Sequence, residues 1–511
     1  MATCGPIVNR PSLRRLAIGA QDAILPHNDL IPTRIRKIIG DVKSKLAGCF
    51  LLAVVLCAQG RFAPGVKPFV AVDAPVVALQ HVRVIDGTGA PPREDQTIVL
   101  DHGKISAAGP FANTAAPAGA QSIDLSGTTV IPGLAGMHEH LFYPSGGGIP
   151  TYNEQAFSFP RLYLASGVTT ARTAGSLEPY TDLNIKRMID TGKMPGPKLD
   201  ITGPYLEGAG SFAVQMHELT GPDDAARTVD YWAAEGVTSF KAYMNITRAE
   251  LQAAVDAAHR HGIKVTGHLC SIGFREAAAI GIDNLEHGLL VDTEFHPGKQ
   301  PDVCPPQGVT RGELAHLDLD GAPVRDMIAD LVRHNVAITS TLAVFEAFDG
   351  SRPPLEQRFL DALTPEAQVA YLGARARSQA GSFLPMLKKE MEFEFAFVKA
   401  GGLLLSGADP TGNGGALAGF ADQRNIELLV EAGFTFPEAI RIATANGAKF
   451  LGQLDRIGTV AAGKQADLVV IDGDPAARTA DIRKVKLVFK DGVGYDPVKL
   501  LDSVRGSVAL H

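Results

Sequence analysis

Residues 130–145 read "VIPGLAGMHEHLFYPS", an apolar run that ends in two histidines separated by one residue. Alternate residues of an extended strand point to the same face. His138 and His140 can therefore converge on one point at the end of a buried strand. An isolated pair of this kind often consists of exposed histidines without a function. Other residues of the chain must therefore decide whether the pair belongs to a site.

The composition is that of an ordinary globular protein. The chain has 511 residues, of which 45% are hydrophobic and 20% charged, and its formal net charge at pH 7 is -7. This length accommodates a large barrel with a smaller second domain. The slightly acidic balance offers no basic stripe of the kind that nucleic acids select, so no nucleic-acid partner is expected.

Residues 1–70 have the character of a leader that is disordered or removed. A basic stretch, "RIRKIIGDVKSK" (34–45), precedes the apolar "LAGCFLLAVVLCA" (46–58), as in a secretory signal peptide. The apolar stretch is shorter than the roughly 20 residues that span a bilayer. The signal-like segment at about 34–60 predicts a secreted or periplasmic protein, with an N-terminal membrane anchor as the alternative. The residues ahead of it suggest that the natural start lies downstream, near Val42.

Cysteine usage argues against a disulfide framework. Three of the five cysteines, Cys4, Cys49 and Cys57, fall in the leader, which leaves Cys270 and Cys304 for the folded part. Whether these two are bonded stays open at this stage.

Both ends of the remaining chain are rich in β-type sequence. Short runs of β-branched residues close with Gly or Asp-Gly turns, a pattern typical of strands and hairpins. The clearest are "VVALQHVRVIDG", "TIVLDHGKISAAG" and "QSIDLSGTTVIPG" near the start, and "IGTVAAGKQADLVVIDGDP" and "VKLVFKDG" near the end. We expect residues 71–131 and 456–511 to form one small composite β-sandwich.

The middle of the chain carries clear helix signals. In "TRAELQAAVDAAHRHG", Thr247 and Glu250 form a capping box and Gly262 ends the helix. "TFPEAIRIATANGAKFLG" repeats the same start with Thr435 and Glu438.

Short apolar runs alternate with these helical patterns across residues 132–455. Strands that alternate with helices indicate parallel βα units, and eight of them fit a (β/α)8 TIM barrel. The fold class predicted is therefore α/β. The eight runs are residues 131–137, 168–172, 198–202, 237–243, 264–268, 284–286, 336–339 and 403–406.

Metal-binding residue types recur at or near the ends of five of these runs. Active sites of such barrels lie at the carboxyl ends of the strands, so the side chains there should face one mouth. Each has an ordinary role when considered alone, as a surface lysine, a structural histidine or a turn aspartate, but six coincident placements argue for a site. They are His138, His140, Lys241, His268, His287 and Asp409.

The chemistry of this set is consistent with a metal centre. Imidazole and carboxylate are natural ligands of Zn²⁺, and six groups exceed the four that one tetrahedral zinc needs. Two metal ions that share bridging ligands would use them all. An ammonium group cannot bind a cation, so Lys241 fits only if CO₂ converts its amine to a carbamate, which a depressed pKa would favour.

The same residues carry a resemblance to a known family. "GLAGMHEH", "FKAYM", "VTGHL", "NLEHG" and "SGADP", together with "GTVAAGKQADLVVID", resemble motifs of the metal-dependent amidohydrolase superfamily. The likeness is greatest to its carbamylated-lysine binuclear branch, which includes prolidase-like dipeptidases and carboxypeptidases. It extends over residues 76–492.

The resemblance implies a role for each group. The first metal would be held by His138, His140 and Asp409, the second by His268 and His287, with carbamylated Lys241 between them. A metal-bound hydroxide would attack the carbonyl, and Asp409 would act as general acid and base. Glu139 lies on the opposite face of the strand and is expected to be structural.

The activity that the resemblance implies is hydrolysis of an amide bond in a dipeptide or N-acyl amino acid. The alternatives are a cyclic-amide, lactone or ester hydrolase with the same centre, or a non-catalytic metal-binding barrel protein. Deaminases of the superfamily carry a glutamate where this chain has Ser271, which argues against deamination. The sequence does not decide whether the protein forms a homo-oligomer.

The substrate pocket is less constrained by sequence. Candidates near the strand ends are Tyr143, Tyr205, His217 and Tyr243. The Pro-rich segment 294–314 follows the sixth run and is either a lid over the site or an insertion.

Overall fold

The computed structural model describes residues 61–145, 151–411 and 415–510. The signal-like segment at about 34–60 lies outside these residues. Residues 61–70, which the sequence assigned to the leader, pack on the rest of the chain: Val66 is buried, and the Ala63 amide donates to the Gly192 carbonyl at 3.0 Å.

Strands from both chain ends combine in one nine-stranded sheet. Its order is β1-β20-β19-β18-β6-β2-β3-β4, with β5 beside β2. Val77, Leu79, Val130, Val470 and Phe489 belong to one hydrophobic cluster on this sheet, which couples the two ends. The strands are β1 (Val70–Val72), β2 (Val76–Val84), β3 (Arg93–Asp101), β4 (Lys104–Pro110), β5 (Gln121–Asp124), β6 (Thr128–Pro132), β18 (Leu468–Asp472), β19 (Val485–Lys490) and β20 (Val493–Tyr495).

The middle of the chain forms two parallel sheets and one hairpin. One sheet has the order β11-β10-β7 and the other runs β12 to β17 in sequence order, while β8 and β9 pair antiparallel. Consecutive parallel strands need crossover connections, which helices supply here. The strands are β7 (Leu134–Glu139), β8 (Phe142–Ser145), β9 (Thr151–Glu154), β10 (Val168–Thr173), β11 (Lys198–Asp200), β12 (Thr202–Leu206), β13 (Ser239–Ala242), β14 (Lys264–Gly267), β15 (Asn284–Glu286), β16 (Ala337–Ser340) and β17 (Leu404–Ser406).

Helices pack around these strands over one large hydrophobic core. They are α1 (Phe159–Ala165), α2 (Pro179–Asp190), α3 (Pro222–Glu235), α4 (Arg248–Arg260), α5 (Phe274–Ile280), α6 (Gln307–Leu314), α7 (Ala322–Arg333), α8 (Leu342–Glu346), α9 (Gln357–Ala362), α10 (Pro365–Arg377), α11 (Leu384–Lys399), α12 (Phe420–Glu431), α13 (Phe436–Arg441), α14 (Gly447–Phe450) and α15 (Pro497–Asp502). A π-helical turn, Ile442–Asn446, joins α13 to α14.

The α/β class predicted from the sequence is confirmed, and each of the eight apolar runs contains a strand. The first run differs in detail. Residues 131 and 132 end β6 in the nine-stranded sheet, and β7 begins at Leu134 in a parallel sheet. The chain passes between the sheets at Gly133, where a Cβ atom would lie 2.1 Å from the Thr169 hydroxyl oxygen.

Both predicted helix starts are confirmed. Thr247 caps α4 and Thr435 caps α13, and each forms a reciprocal capping box with the glutamate three residues later. Within the described residues, no helix combines the length and the apolar character needed to cross a bilayer.

Candidate active site

A cavity of about 270 Å³ opens at the carboxyl ends of the parallel strands. All six residues predicted as metal ligands line it. The sequence places them far apart, and the parallel strands bring them together because the carboxyl ends of such strands lie on one side of the sheet. The set is His138, His140, Lys241, His268, His287 and Asp409.

His138, His140 and Asp409 form one compact ligand set. Their ligating atoms all lie within 4.8 Å of one another, and each residue is buried. Asp409 Oδ1 is 3.2 Å from His140 Nε2 and 3.6 Å from His138 Nε2. Two imidazole nitrogens and one carboxylate oxygen at this spacing can coordinate a divalent metal such as zinc.

The remaining three groups adjoin this set. The ring of His287 lies 4.4 Å from that of His138 and 4.5 Å from that of His268, measured between centroids. Lys241 Nζ is 3.1 Å from His138 Nε2. Lys241 therefore lies at the edge of the first ligand set.

The electrostatics keep the histidines neutral at physiological pH. Burial, reinforced by the neighbouring Lys241 charge, lowers the pKa of His138 to about 4. Burial also lowers the pKa of His140, His268 and His287. A neutral imidazole presents a lone pair, which is the form that binds a metal ion.

The donor set fits a metal because one of its buried nitrogen atoms lacks any other partner. His268 Nε2 has no hydrogen-bond partner in the described residues. A buried polar atom without a partner is costly unless a ligand satisfies it. Although burial raises the pKa of Asp409, the adjacent His138 and His140 lower it overall, so its carboxylate is ionised and able to bind a cation.

Glu286 and Arg172 support the first histidine. Glu286 Oε2 lies 2.8 Å from His138 Nδ1, and Arg172 Nη2 donates to Glu286 Oε1 at 2.7 Å. All three side chains are buried. The sequence interpretation did not assign either residue a role. Glu286 directly precedes the predicted ligand His287 at the end of a strand, and this position could have indicated a role near the site.

Glu139 does not line the cavity. Its Oε1 accepts from the Ala408 amide at 3.0 Å, which fixes the backbone next to Asp409. Burial, followed by the Asp422 carboxyl, raises the pKa of Glu139 well above its usual value. The geometry matches the structural role that the sequence suggested and adds a specific contact.

The end of β17 approaches β7 very closely. The Asp409 amide donates to the His138 carbonyl at 2.9 Å. A Cβ atom on Gly407 would lie 2.4 Å from the His138 backbone nitrogen, so only glycine allows this approach. Asp409 itself has a φ of 47°, in the left-handed region that strained functional residues often occupy.

Of the four candidate substrate-pocket residues, Tyr205 and Tyr243 line the cavity. The structure places the other two elsewhere. Tyr143 is buried against Phe159, at 6.2 Å between ring centroids. His217 has a half-exposed side chain that pairs with Asp224 at 3.0 Å.

The Pro-rich segment 294–314 contributes to the cavity through α6. Gln307 and Arg311, one turn apart, line it. Cys270 and Cys304 form a disulfide, which resolves the question that the sequence left open. This bond joins the segment to the chain two residues after His268.

A buried cluster of imidazoles, one carboxylate and one amine at the ends of parallel strands offers the side chains that metal-dependent hydrolases use. The sequence profile of the amidohydrolase family matches residues 129–494. The chain belongs to this family, and the protein is a hydrolase that acts on carbon–nitrogen amide bonds.

Solved structures with a similar fold come from several enzymes. One is a protein from Bifidobacterium longum described as a candidate prolidase, 24% identical, with a TM-score of 0.61 over 84% of this chain and 98% of that one. Another is a Xaa-Pro dipeptidase with methionine in its active site, 22% identical, with a TM-score of 0.62 over 82% of this chain and 100% of that one. A third is ochratoxinase from A. niger, 18% identical, with a TM-score of 0.60 over 82% of this chain and 95% of that one. No curated protein sequence matches the chain significantly.

Proposed function

We propose that the protein is a binuclear metal-dependent hydrolase that cleaves the amide bond of a dipeptide or an N-acyl amino acid. The observation that carries this proposal is the convergence of six ligand-type side chains at one buried end of a single cavity. The names of two similar structures, a prolidase candidate and a Xaa-Pro dipeptidase, support the choice of substrate class.

The proposed scaffold is a closed (β/α)8 barrel over residues 132–455, with a β-sandwich built from residues 71–131 and 456–511. Bonds at both junctions between the two parallel sheets support closure. At one junction the Asp409 amide donates to the His138 carbonyl at 2.9 Å. At the other, the Thr202 amide donates to the Thr173 hydroxyl oxygen at 2.8 Å. The broken pair β11 and β12 then counts as one barrel strand.

Two zinc ions are the proposed cofactors. His138, His140 and Asp409 would hold one, and His268 and His287 the other. Bound metal would polarise the substrate carbonyl and lower the pKa of a coordinated water.

Lys241 would complete the centre as a carbamate. Burial lowers the pKa of Lys241 to about 8, although Glu286 and Asp409 act in the opposite direction. About a tenth of its amine is then uncharged at pH 7, and this neutral amine can add CO₂ to form a carbamate with release of one proton to solvent. The product is a carboxylate-like group beside His138, which suits a bridging position.

Asp409 would move the proton. Its carboxylate is ionised and lies at the cavity surface beside His140. It can accept a proton from the attacking water and deliver it to the leaving nitrogen, as a general acid–base residue does. The Ala408 contact with Glu139 holds this carboxylate in position.

The cavity suits a small substrate with an apolar part. Its volume of about 270 Å³ lies just below the roughly 300–1,000 Å³ that is typical of small-molecule sites. Aromatic side chains form much of its wall beyond the ligand cluster: Phe142, Tyr152, Tyr205, Phe212, Tyr243, Phe345 and Phe348.

We propose further that the protein acts outside the cytoplasm, secreted or periplasmic. The signal-like sequence at about 34–60 suggests export, and the Cys270–Cys304 disulfide is of a kind that persists in oxidising compartments. Fractionation of the native host with an antibody against the protein would test this location.

The test of the activity combines metal analysis with a substrate panel. Purified protein should contain about two metal ions per chain and hydrolyse members of a panel of dipeptides and N-acyl amino acids. Dialysis against a chelator should abolish turnover, and Zn²⁺ with bicarbonate should restore it. Protein with well under one metal per chain, and without amidase activity after reconstitution, would contradict the proposal.

Asp409→Asn separates an enzyme from a metal-binding protein. We expect the variant to lose most turnover on the best substrate of the panel while it still binds metal through the histidines. Equal turnover by the variant and the wild type would rule out the proton-transfer role.

A further inference from the structure

Arg311 is a cation of the cavity wall that the proposed chemistry does not use. It lies on α6, on the segment that follows β15, and is partly buried. The sequence gives it no distinctive motif. Its charge lies at the cavity wall, where it can interact with a bound ligand.

Among the residues that the structure describes, the Arg311 guanidinium has no anionic partner. Its Nη2 donates to the neutral Gln307 Oε1 at 3.0 Å, and its buried Nε has no partner. Burial lowers the pKa of Arg311, and no carboxylate of the described residues offsets that effect. The internal segments 146–150 and 412–414, which the structure does not describe, contain no Asp or Glu.

Several other partly buried arginines of the described residues are paired with a carboxylate, although Arg161 is not. Arg352 Nε and Arg424 Nη2 each donate to Glu346 Oε1 at 2.7 Å. Burying a cation without a partner is costly, so a native structure retains one mainly where a ligand supplies the opposite charge.

Arg311 lines the same cavity as the ligand cluster and adjoins two of its aromatic residues. Its Cζ is 6.0 Å from the centroid of the Phe345 ring and 5.6 Å from that of Phe348. The Phe345 ring lies in turn 5.6 Å from that of His287. Arg311 and His287 therefore adjoin the same aromatic ring of the cavity wall, Phe345.

The local structure holds this arginine in place. The Cys270–Cys304 disulfide anchors the chain three residues before α6 begins at Gln307. Gln307 then contacts Arg311 one helical turn later. A binding group whose position is fixed in advance loses less entropy when the ligand arrives.

We propose that Arg311 binds a carboxylate of the substrate while the amide bond lies at the metal-ligand end. This inference rests on the proposed amide hydrolysis and names the residue that recognises the carboxylate of such substrates. The planar guanidinium fork matches a carboxylate, and Phe345 and Phe348 keep water away from the pair. Arg311 would thus determine specificity without taking part in bond cleavage.

The first experiment compares two probes that contain no amide bond, so binding can be read without turnover. They are 3-phenylpropanoate and 3-phenyl-1-propanol, which differ in the carboxylate. Calorimetry on the metal-loaded protein should show tighter binding of the carboxylate by the wild type. We express the preference for the carboxylate as the dissociation constant of the alcohol divided by that of the carboxylate. In Arg311→Met this ratio should fall by about 10- to 100-fold, the loss expected for a charged hydrogen-bonded pair.

Arg311→Lys keeps the charge without the fork and should retain part of the preference. Arg333→Met, which removes an exposed arginine on α7, is the matched control and should leave the ratio unchanged. A ratio in Arg311→Met equal to that of the wild type would overturn the proposal, even if amide hydrolysis is confirmed.

The second experiment repeats the comparison with turnover. N-acetyl-L-phenylalanine and N-acetyl-2-phenylethylamine share the same amide and differ in the carboxylate. The kcat/KM for N-acetyl-L-phenylalanine divided by that for N-acetyl-2-phenylethylamine should fall in Arg311→Met by the same factor as the binding ratio. An unchanged kcat/KM ratio contradicts the role of Arg311. If the wild type hydrolyses no amide of any kind, the proposed function fails while the binding experiment still decides the role of Arg311.

Discussion

The Glu286 carboxylate lies 2.8 Å from Nδ1 of His138, with both side chains buried. A carboxylate at Nδ1 fixes the orientation of the imidazole and directs Nε2 into the cavity, towards Asp409. Arg172 compensates the charge of Glu286 at 2.7 Å. The metal-binding geometry thus depends on residues that do not themselves contact a metal.

Glu286→Gln should weaken metal binding by about 10- to 100-fold, because the partner that orients His138 is weakened. The measurement is a competition titration of Zn²⁺ against a chromophoric chelator. Glu392→Gln, at an exposed position on α11, serves as the control and should bind Zn²⁺ like the wild type. Unchanged affinity in Glu286→Gln, with a folded protein by circular dichroism, would contradict the supporting role.

Lys241→Met should reduce the metal content from about two ions per chain to about one, since the proposed bridging carbamate is lost. Wild-type apoprotein reconstituted in CO₂-free buffer should recover less metal and less activity than protein given bicarbonate. The variant should not respond to bicarbonate. Elemental analysis and an amidase assay give both readouts, and a bicarbonate-independent wild type would exclude carbamylation.

Replacing both Cys270 and Cys304 by serine should lower the free energy of unfolding by about 3–4 kcal/mol. The bond closes a loop with a sequence separation of 34 residues, and the entropy that such a loop removes from the unfolded chain sets this magnitude. Urea denaturation measures the difference. Wild-type protein treated with a reductant should shift in the same direction, while a variant as stable as the oxidised wild type would argue against the bond.

The Glu154 carboxyl should make stability depend on pH. Burial, with the neighbouring Asp182 carboxyl, raises the pKa of Glu154 to about 10, and burial raises the pKa of Asp182 to about 7. Both values exceed those of the unfolded chain, so the folded state binds more protons above pH 4–5. The free energy of unfolding should therefore fall as the pH rises from about 5 to about 10.

Glu154→Gln should make this fall smaller, by on the order of 1–3 kcal/mol between pH 5 and pH 9, because one titrating group is removed. Denaturant unfolding at several pH values gives the comparison. The exposed Glu366 on α10 provides the control through Glu366→Gln, which should follow the wild-type curve. Identical curves for Glu154→Gln and the wild type would show that Glu154 titrates normally.

The sequence predicted the candidate ligand set because each member lies at or near the end of a short apolar run. Strand ends in parallel βα units face one side, so a local pattern is enough to place His138, His268 and Asp409 near one another. Helix starts were equally local: the capping boxes at Thr247 and Thr435 depend on residues three positions apart.

Residues that act through long-range contacts were not accessible in the same way. Arg172 and Glu286 are separated by 114 positions, and Glu139 contacts an amide 269 positions away. No local periodicity records such pairs. Of the pocket candidates, Tyr205 and Tyr243 line the cavity, whereas Tyr143 packs against Phe159 and His217 pairs with Asp224.

What the sequence by itself determined is the α/β class and the six ligand-type side chains, because both follow from patterns within a few residues of each strand end. The tertiary structure decided the rest: the Glu286–Arg172 support of His138, the Cys270–Cys304 bond and the position of Arg311 in the cavity wall. These features depend on which distant segments pack together, and that is fixed by burial of one common core and not by any local pattern.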